Sequence, residues 1–528
     1  MTEHIETDIA IVGSGFSGSL MALALRRRGF RVALVERGRH PRFAIGESST
    51  PLANLVLEEI ADRYDLPRLR VFSKWGTWQR ERPEVAAGLK RGFTFFFHTP
   101  GEAFSDDDSH RRQLLVAASP HDRIGDTHWY RPDFDHALVR EAEAAGAIYL
   151  DETRLERVRV DDSGVTLEGT RKGHATCLSA RFLVDASGPR GFLHQALGLR
   201  SAPLRWLPPT QALYTHFEGV ERWDRQHGND ETPPYPVDDA AVHHVFDGGW
   251  MWVLRFNNGI TSAGVALTDS RAEALRAAEG APAWDRVLAM LPSVRDGFRH
   301  ARPVLPFIHS PRLSFRSAQV CGSRWALLPS AAGIIDPLLS TGFPLTLLGI
   351  TRLLDVLEQT TEGPERDTAL RAYARATHEE LDATERLVAA LYATMADPPL
   401  FKRLALLYFA AASYAEAARR LGRPELAPGF LLHAHPQFGA QLAGLSELAM
   451  RKPEGRERDA LFVRIDRAIE PFDVAGIVDR SRRDWYPVLA DDLLNNAPKL
   501  HASTDEVERL LERCGFVTPH ATGPDSPW

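Results

Sequence analysis

Gly13, Gly15 and Gly18 stand at Gly-x-Gly-x-x-Gly spacing, and Glu36 follows them. Glycine at the first position permits a tight turn. At the second it lets backbone approach a pyrophosphate, and at the third it lets a helix pack closely on a strand. A carboxylate closing the next strand can accept hydrogen bonds from an adenosine ribose. That is dinucleotide-binding chemistry, and it needs a strand–helix–strand frame to carry it. The flanking residues supply one: 8–12 is an apolar run of strand length, 20–28 is a Leu- and Ala-rich helix stopped by Gly29, and 31–35 is a β-branched run closed by Glu36.

Other candidate groups are dispersed. Ser340-Thr341-Gly342 is a glycine turn opening a helix, where free N–H groups and the helix dipole suit an anion. Trp250 and Trp252 fall at period two, on one face of a strand, where they pack a sheet or line a channel. His243 and His244 fall on opposite faces and cannot ligate one metal together. Asp106-Asp107-Asp108 with His110 reads as a solvated loop, and no Gly-x-Ser-x-Gly turn or Cys/His pair at ligand spacing occurs. Metal catalysis and covalent serine chemistry are therefore not expected.

The chain that must position these groups has 528 residues, 44% hydrophobic and 25% charged, the balance of a globular protein with a large core. A net charge of -7 argues against nucleic acid. Three scattered cysteines (Cys177, Cys321, Cys514) argue against a disulfide scaffold and suit a reducing cytosol. The acidic, polar opening residues do not resemble an export signal, so a cytoplasmic protein is expected. The apolar run 325–350 is interrupted by Asp336, prolines and glycines, and reads as strand, loop and helix, not a membrane span. Residues 132–146 read as a helix, 155–169 as a hairpin turning at 161–164, and 250–256 and 260–267 as strands joined at Asn257-Asn258-Gly259. From Gly342 onward the pattern is helical, and residues 425–528 carry no nameable chemistry. Within 404–412 the helix is apolar on nearly all sides, which fits a core helix or one lying on a membrane surface.

The fold class expected is α/β: a Rossmann-like nucleotide-binding domain interleaved with a β-sheet substrate domain, then a helical region. The boundaries expected are 1–200 and 300–365 for the first, 70–130 and 200–300 for the second, and 366–528 for the third.

Four segments in order then point to a family: 42–48 (Arg-Phe-Ala-Ile-Gly-Glu-Ser), 131–135 (Arg-Pro-Asp-Phe-Asp), 184–188 (Val-Asp-Ala-Ser-Gly) and 331–337 (Ala-Ala-Gly-Ile-Ile-Asp-Pro). Over roughly residues 6–350 the chain resembles the flavin-dependent halogenases, relatives of the geranylgeranyl reductases and of aromatic hydroxylases of the para-hydroxybenzoate hydroxylase fold. The resemblance implies FAD, with Glu36 on the ribose, Glu47, Ser48 and Arg131 towards the isoalloxazine, Asp185 near the adenine half, and Ser330 and Asp336 in the third flavin motif. Where the family has Gly-Asp, this chain has Pro329-Ser330, so weaker flavin retention is expected.

Three further stretches resemble halogenases in particular. Lys90-Arg91-Gly92-Phe93-Thr94-Phe95 resembles the strand of the lysine that hydrogen-bonds hypohalous acid or forms a haloamine, with Lys74 a second candidate. Thr341 and Gly342 resemble the halide site. Trp250-Met251-Trp252 resembles the Trp-x-Trp-x-Ile-Pro motif, with Leu254-Arg255 replacing Ile-Pro. Leu339 stands where tryptophan halogenases have Glu, which implies a phenol or pyrrole type. The resemblance implies halogenation of an electron-rich arene, free or carrier-tethered, by reduced FAD, O2 and chloride or bromide, with flavin reduced by a separate NAD(P)H flavin reductase. The alternative is an FAD-dependent monooxygenase or alkene reductase acting on a lipid or polyketide-like substrate.

Overall fold

The computed structural model describes residues 3–228 and 231–516; residues 229–230 and the end of the C-terminal region, 517–528, lie outside the described residues. The opening βαβ unit forms as its pattern dictates. Strand Glu3–Val12 is followed by helix Phe16–Arg27 and strand Val32–Val35, and the two strands pair in parallel. In the sheet they belong to, the order runs Cys321–Gly322, Trp325–Leu327, His174–Asp185, Glu3–Val12, Val32–Val35, Ile148–Leu150. The four contacts among the last five of these strands are parallel. Strands buried on both faces read as continuous apolar runs, as 9–12 and 32–35 do. The hairpin Thr153–Asp161/Gly164–Arg171 extends the sheet antiparallel along His174–Asp185.

A second, largely antiparallel sheet of nine strands contains Gly92–Phe97, Thr210–Glu218, Ala241–Phe246, Gly249–Arg255 and Ile260–Thr268. The turn at Asn257-Asn258-Gly259 joins the last two, with Gly259 at φ +82°. A separate two-stranded ribbon pairs Ala87–Lys90 antiparallel with Asp126–Trp129. It is short, and it carries the lysine.

Two expectations need correction. The C-terminal region is not helical throughout, because Trp485–Tyr486 adds a parallel strand to the edge of Gln113–Ala117. His110 is not in a solvated loop: it is 5% exposed, its ring lies 3.8 Å from that of Trp485, and Nδ1 lies 3.0 Å from the Arg483 carbonyl. The neighbouring aspartates do shape their own loop, with Asp106 accepting from the Arg112 N–H.

The helix Pro398–Arg420 answers the question left by its apolar middle. Leu404, Leu406, Leu407 and Ala410 are fully buried, so the segment is interior and the ground for a membrane-lying helix is removed. Each fully buried leucine contributes about 1.5–3 kcal/mol. Among the described residues no helix is long and apolar enough to cross a membrane. The helical region is bonded to the α/β body by buried polar contacts. Tyr373 Oη donates to the Leu327 carbonyl (2.7 Å), and Glu385 accepts the N–H groups of Arg205, Trp206 and Leu207.

Candidate active site

The glycine turn is built for close approach. A Cβ on Gly13, which sits at φ +100°, would lie 2.6 Å from the Ala186 carbonyl oxygen, and one on Gly18 would lie 1.9 Å from that of Gly13. Gly15 faces side chains only: Arg131 Nη2 at 3.5 Å, Asp135 Oδ2 at 3.6 Å and Arg42 Nη2 at 3.9 Å from a Cβ placed there. No side chain caps the helix that follows, so its first N–H groups and dipole are available to an anion. Glu36, 5% exposed, accepts from Ser14 N (3.2 Å), Ser14 Oγ (2.9 Å), Gly38 N (3.0 Å) and Arg42 Nη2 (3.0 Å). Burial alone would raise its pKa; the Arg42 guanidinium and the N–H donors outweigh that and hold it below the ordinary value. Around it His40 Nδ1, Arg42 Nε and Tyr149 Oη are buried with no hydrogen-bond partner among the described residues. Buried polar atoms are seldom left so. A glycine cradle, a carboxylate and orphaned polar atoms beside it fit the adenosine and pyrophosphate of FAD.

Arg131 and Asp135, one helical turn apart and 7% and 0% exposed at the side chain, form a two-pronged pair at 2.7 and 2.8 Å. The remaining Arg131 nitrogen holds the Ile45 and Gly46 carbonyls (3.1 and 2.8 Å). This pair therefore fixes the 42–48 loop. Glu47 is buried against His216, Oε1 to Nε2 at 2.7 Å, and its other oxygen has no partner among the described residues. Three residues read as cofactor contacts also make hydrogen bonds within the chain. Ser48 Oγ accepts from Lys90. Asp185 accepts from Ser187 N and Oγ and from Leu193 N, building its own turn, and burial raises its pKa against those bonds. Asp336 accepts from Leu338 N (2.9 Å) and Tyr392 Oη (2.8 Å). Ser330 is half-buried in the short helix Pro329–Ala332.

Lys90 is fully buried. Its Nζ donates to Ser48 Oγ (2.9 Å) and the Ser49 carbonyl (2.5 Å) and lies 3.7 Å from the Phe93 ring centroid. Burial pulls its pKa from 10.5 down to about 7, opposed by the Asp126 carboxylate. Lys74, by contrast, has a side chain 22% exposed and lies 3.9 Å from Glu58.

Between Lys90 and the Asp336–Gly342 loop runs a file of rings. Phe93 lies 5.9 Å from His243, His243 5.2 Å from Trp250, and Trp250 5.7 Å from Trp252. Trp250 Nε1 donates to Tyr392 Oη (3.2 Å), which bonds Asp336. Both tryptophans share one strand face, as their spacing implies. The replacement of Ile-Pro by Leu254-Arg255 falls at the strand end, where Arg255 binds Asp238 (2.9 Å) and the Val220 and Glu221 carbonyls. An open cavity of ≈ 430 Å³ has Tyr392, Trp206, Arg271 and Lys452 in its wall but not Lys90. The rings from Phe93 to Trp250 link Lys90 to the Asp336–Gly342 loop by packing contacts.

The loop before helix Gly342–Gln359 is strained. Leu339 (φ 64°) and Ser340 (φ 54°) both take left-handed backbone that side chains disfavour. Thr341 is buried, Gly342 is exposed, and no side chain caps the helix. Asp336 and Tyr392 tie this loop down. Burial raises the Asp336 carboxyl from 3.8 to about 7 despite its hydrogen bonds. The native state then binds a proton that the unfolded state releases. Its contribution to stability is full below about pH 4 and is lost as pH rises through about 7. Asp336→Asn should flatten that part of the pH–stability profile in urea melts. Tyr392→Phe should cost about 1–3 kcal/mol by leaving a buried carboxylate oxygen unpaired.

Asn54, Asp126, His128, His216 and Tyr392 were not legible as site residues. Asp126 and His128 alternate on one strand, the one local signal, while Asn54, His216 and Tyr392 come from separate segments, and none belongs to a contiguous motif.

The family described as FAD dependent oxidoreductase matches residues 8–337. Monodechloroaminopyrrolnitrin halogenase PrnC of Pseudomonas fluorescens is 33% identical over 403 residues, 74% of this chain and 68% of the relative. Tetracycline 7-halogenase of Kitasatospora aureofaciens is 33% identical over 350 residues, 64% of this chain, which spans 61% of that relative's length. A Pseudomonas fluorescens chlorinase of a pyrrole-2-carbonyl group on a peptidyl carrier protein is 26% identical over 352 residues, covering 66% of this chain and 74% of that relative. The crystal structure of halogenase PltM with phloroglucinol and FAD superposes with a TM-score of 0.80 at 23% identity, over 90% of this chain and 99% of that one. The chain belongs to the FAD dependent oxidoreductase family and, within it, to the flavin-dependent halogenases.

Proposed function

We propose that this protein halogenates an electron-rich arene of the phenol or pyrrole type, with Lys90 delivering the halogen. The observation that carries this reading is a fully buried amine, bonded by two neutral oxygens and stripped of much of its basicity by burial. Such an amine is poised between two uses: as ammonium it polarises hypohalous acid, and as amine it takes up the halogen itself. FAD, when bound and reduced, supplies with dioxygen the oxidising power that converts halide to hypohalous acid.

The chain's own residues do the rest. Gly13, Gly15, Gly18 and Glu36 hold the dinucleotide, Arg131 and Glu47 shape the loop beside it, and Ser330 offers a hydroxyl. Thr341 and Gly342 present the start of a helix to the halide. Trp250 and Trp252 pack between that loop and the lysine, excluding water and bulky substrate from the cofactor side. Asp336 and Asp185 act on loop geometry and Ser48 on the lysine. The cofactor part is assigned to 1–200 and 300–365, the substrate part to 70–130 and 200–300, and the helical region to 366–528.

The relatives' names supply the substrates to try: monodechloroaminopyrrolnitrin, a tetracycline and a pyrrole on a carrier protein. The test supplies purified protein with FAD, NADH, a flavin reductase and halide, and offers phenols, free pyrroles and a carrier-bound pyrrole in parallel. Halogenated product from at least one class is expected. Hydroxylated or reduced products alone would replace this reading with the monooxygenase or reductase alternative.

A further inference from the structure

The ribbon that carries Lys90 sets a carboxylate directly across from it. In the antiparallel register Lys90 pairs with Asp126 and Gly88 with His128, so Lys90, Asp126 and His128 share one face. Asp126 is 1% exposed. Asn54, on the helix Pro51–Arg63, donates to its Oδ1 at 2.7 Å. Its Oδ2 is buried with no partner among the described residues, and so is Asn54 Oδ1. A carboxylate with one oxygen fixed and the other bare is costly in a protein interior unless a nearby positive charge offsets it.

Among the described residues, Asp126 is the charged group that acts on the amine. Ser48 and Ser49, which bond Nζ, are neutral. His128 and His243, the other titratable groups acting with Lys90, are pushed to about 3, first by burial and then by the lysine's charge, and stay neutral at working pH. Burial, the largest effect, raises the pKa of the Asp126 carboxyl; Lys74 lowers it, Glu416 raises it and Lys90 lowers it, and Tyr408 in turn is raised by burial and then by Asp126.

We infer that Asp126, seated by Asn54, is a positioning residue that sets the protonation state of Lys90, holding the proton on the amine near neutral pH. This rests on the reading of Lys90 as the halogen-delivering residue. Its sign is definite: a carboxylate within cross-strand reach of an amine favours the ammonium, so removing the carboxylate's charge must move the amine's titration to lower pH.

The chain has six lysines, so a protein labelled with 13C at lysine Cε gives few signals, and Lys90→Met identifies the one of interest. In the FAD-loaded full chain, Asp126→Asn should move the Lys90 midpoint down by about 1 pH unit or more, and Asp126→Glu should return it towards wild type. Asn54→Ala should give a smaller shift of the same sign, because it weakens the carboxylate without removing it. That variant keeps the proposal falsifiable if Asp126→Asn does not fold. The pH limb of bromination should move with the midpoint. A Lys90 midpoint unchanged in folded Asp126→Asn, or in folded Asn54→Ala where the former fails, would overturn the inference. If the midpoint shifts while bromination proves independent of Lys90, the linkage stands and the delivery role fails, so the two are told apart.

Discussion

Lys90→Met should retain FAD and lose the halogenated product, with turnover falling by about 100-fold or more. Methionine nearly matches lysine in volume and removes the amine. The site therefore stays filled while its chemistry is deleted. The cofactor cradle lies in other segments, at Gly13, Gly15, Gly18 and Glu36, so flavin absorbance per protein should change little. Ser48 Oγ and the Ser49 carbonyl lose a donor, at about 1–3 kcal/mol, and relief from burying a charged amine offsets part of that. The paired control is Lys74→Met. Its side chain is 22% exposed and beside Glu58, so no halogen passes through it; its charge also lowers the Asp126 carboxyl, so product should fall far less than in Lys90→Met but need not match wild type. Product by mass spectrometry and flavin by absorbance, on the same preparations, check both. A Lys90→Met protein that halogenates at the wild-type rate removes the amine from the chemistry.

Arg131→Met should destabilise the fold by about 3–5 kcal/mol, because it strands Asp135 as a buried, unpaired carboxylate at 0% side-chain exposure. It also frees the Ile45 and Gly46 carbonyls, so the 42–48 loop loses its anchor and flavin affinity falls with it. Arg131→Met combined with Asp135→Leu should recover a large part of the stability, since apolar packing replaces the pair, but not the loop anchor. Denaturant melts of the three proteins, with FAD retention on gel filtration, separate the two effects. A single variant within 1 kcal/mol of wild type would show that the pair is not what holds this part of the fold.

The parts legible in the sequence are those whose physics is local. The glycine turn, its helix and Glu36 lie within one βαβ unit, so spacing alone determines what can bind there. The two tryptophans follow from strand periodicity, and the hairpins from Asn-Gly and Asp-Ser-Gly turns. Lys90 was legible through a resemblance; its burial was not, since Arg91 and the run Phe93–Phe97 suit either a surface or a core strand. Asp126 and Asn54 are brought to the lysine by pairings between segments far apart in the chain, which no window can contain. The same holds for Tyr392, which reaches from the helical region to Asp336 and Trp250. Ser48, Asp185 and Asp336 were assigned to the cofactor by motif position. Their further hydrogen bonds, to the lysine and within loop turns, are tertiary facts that motif position does not contain.

An oxidised halogen is expected to reach an aromatic carbon in this protein. The most direct measurement is the product mass spectrum from a reductase-coupled reaction run with bromide and, in parallel, in halide-free buffer. A product carrying bromine's paired isotope peaks, present only with bromide, is the predicted result. The same oxygenated or reduced product in both reactions, with no bromine pair in either, would contradict the account.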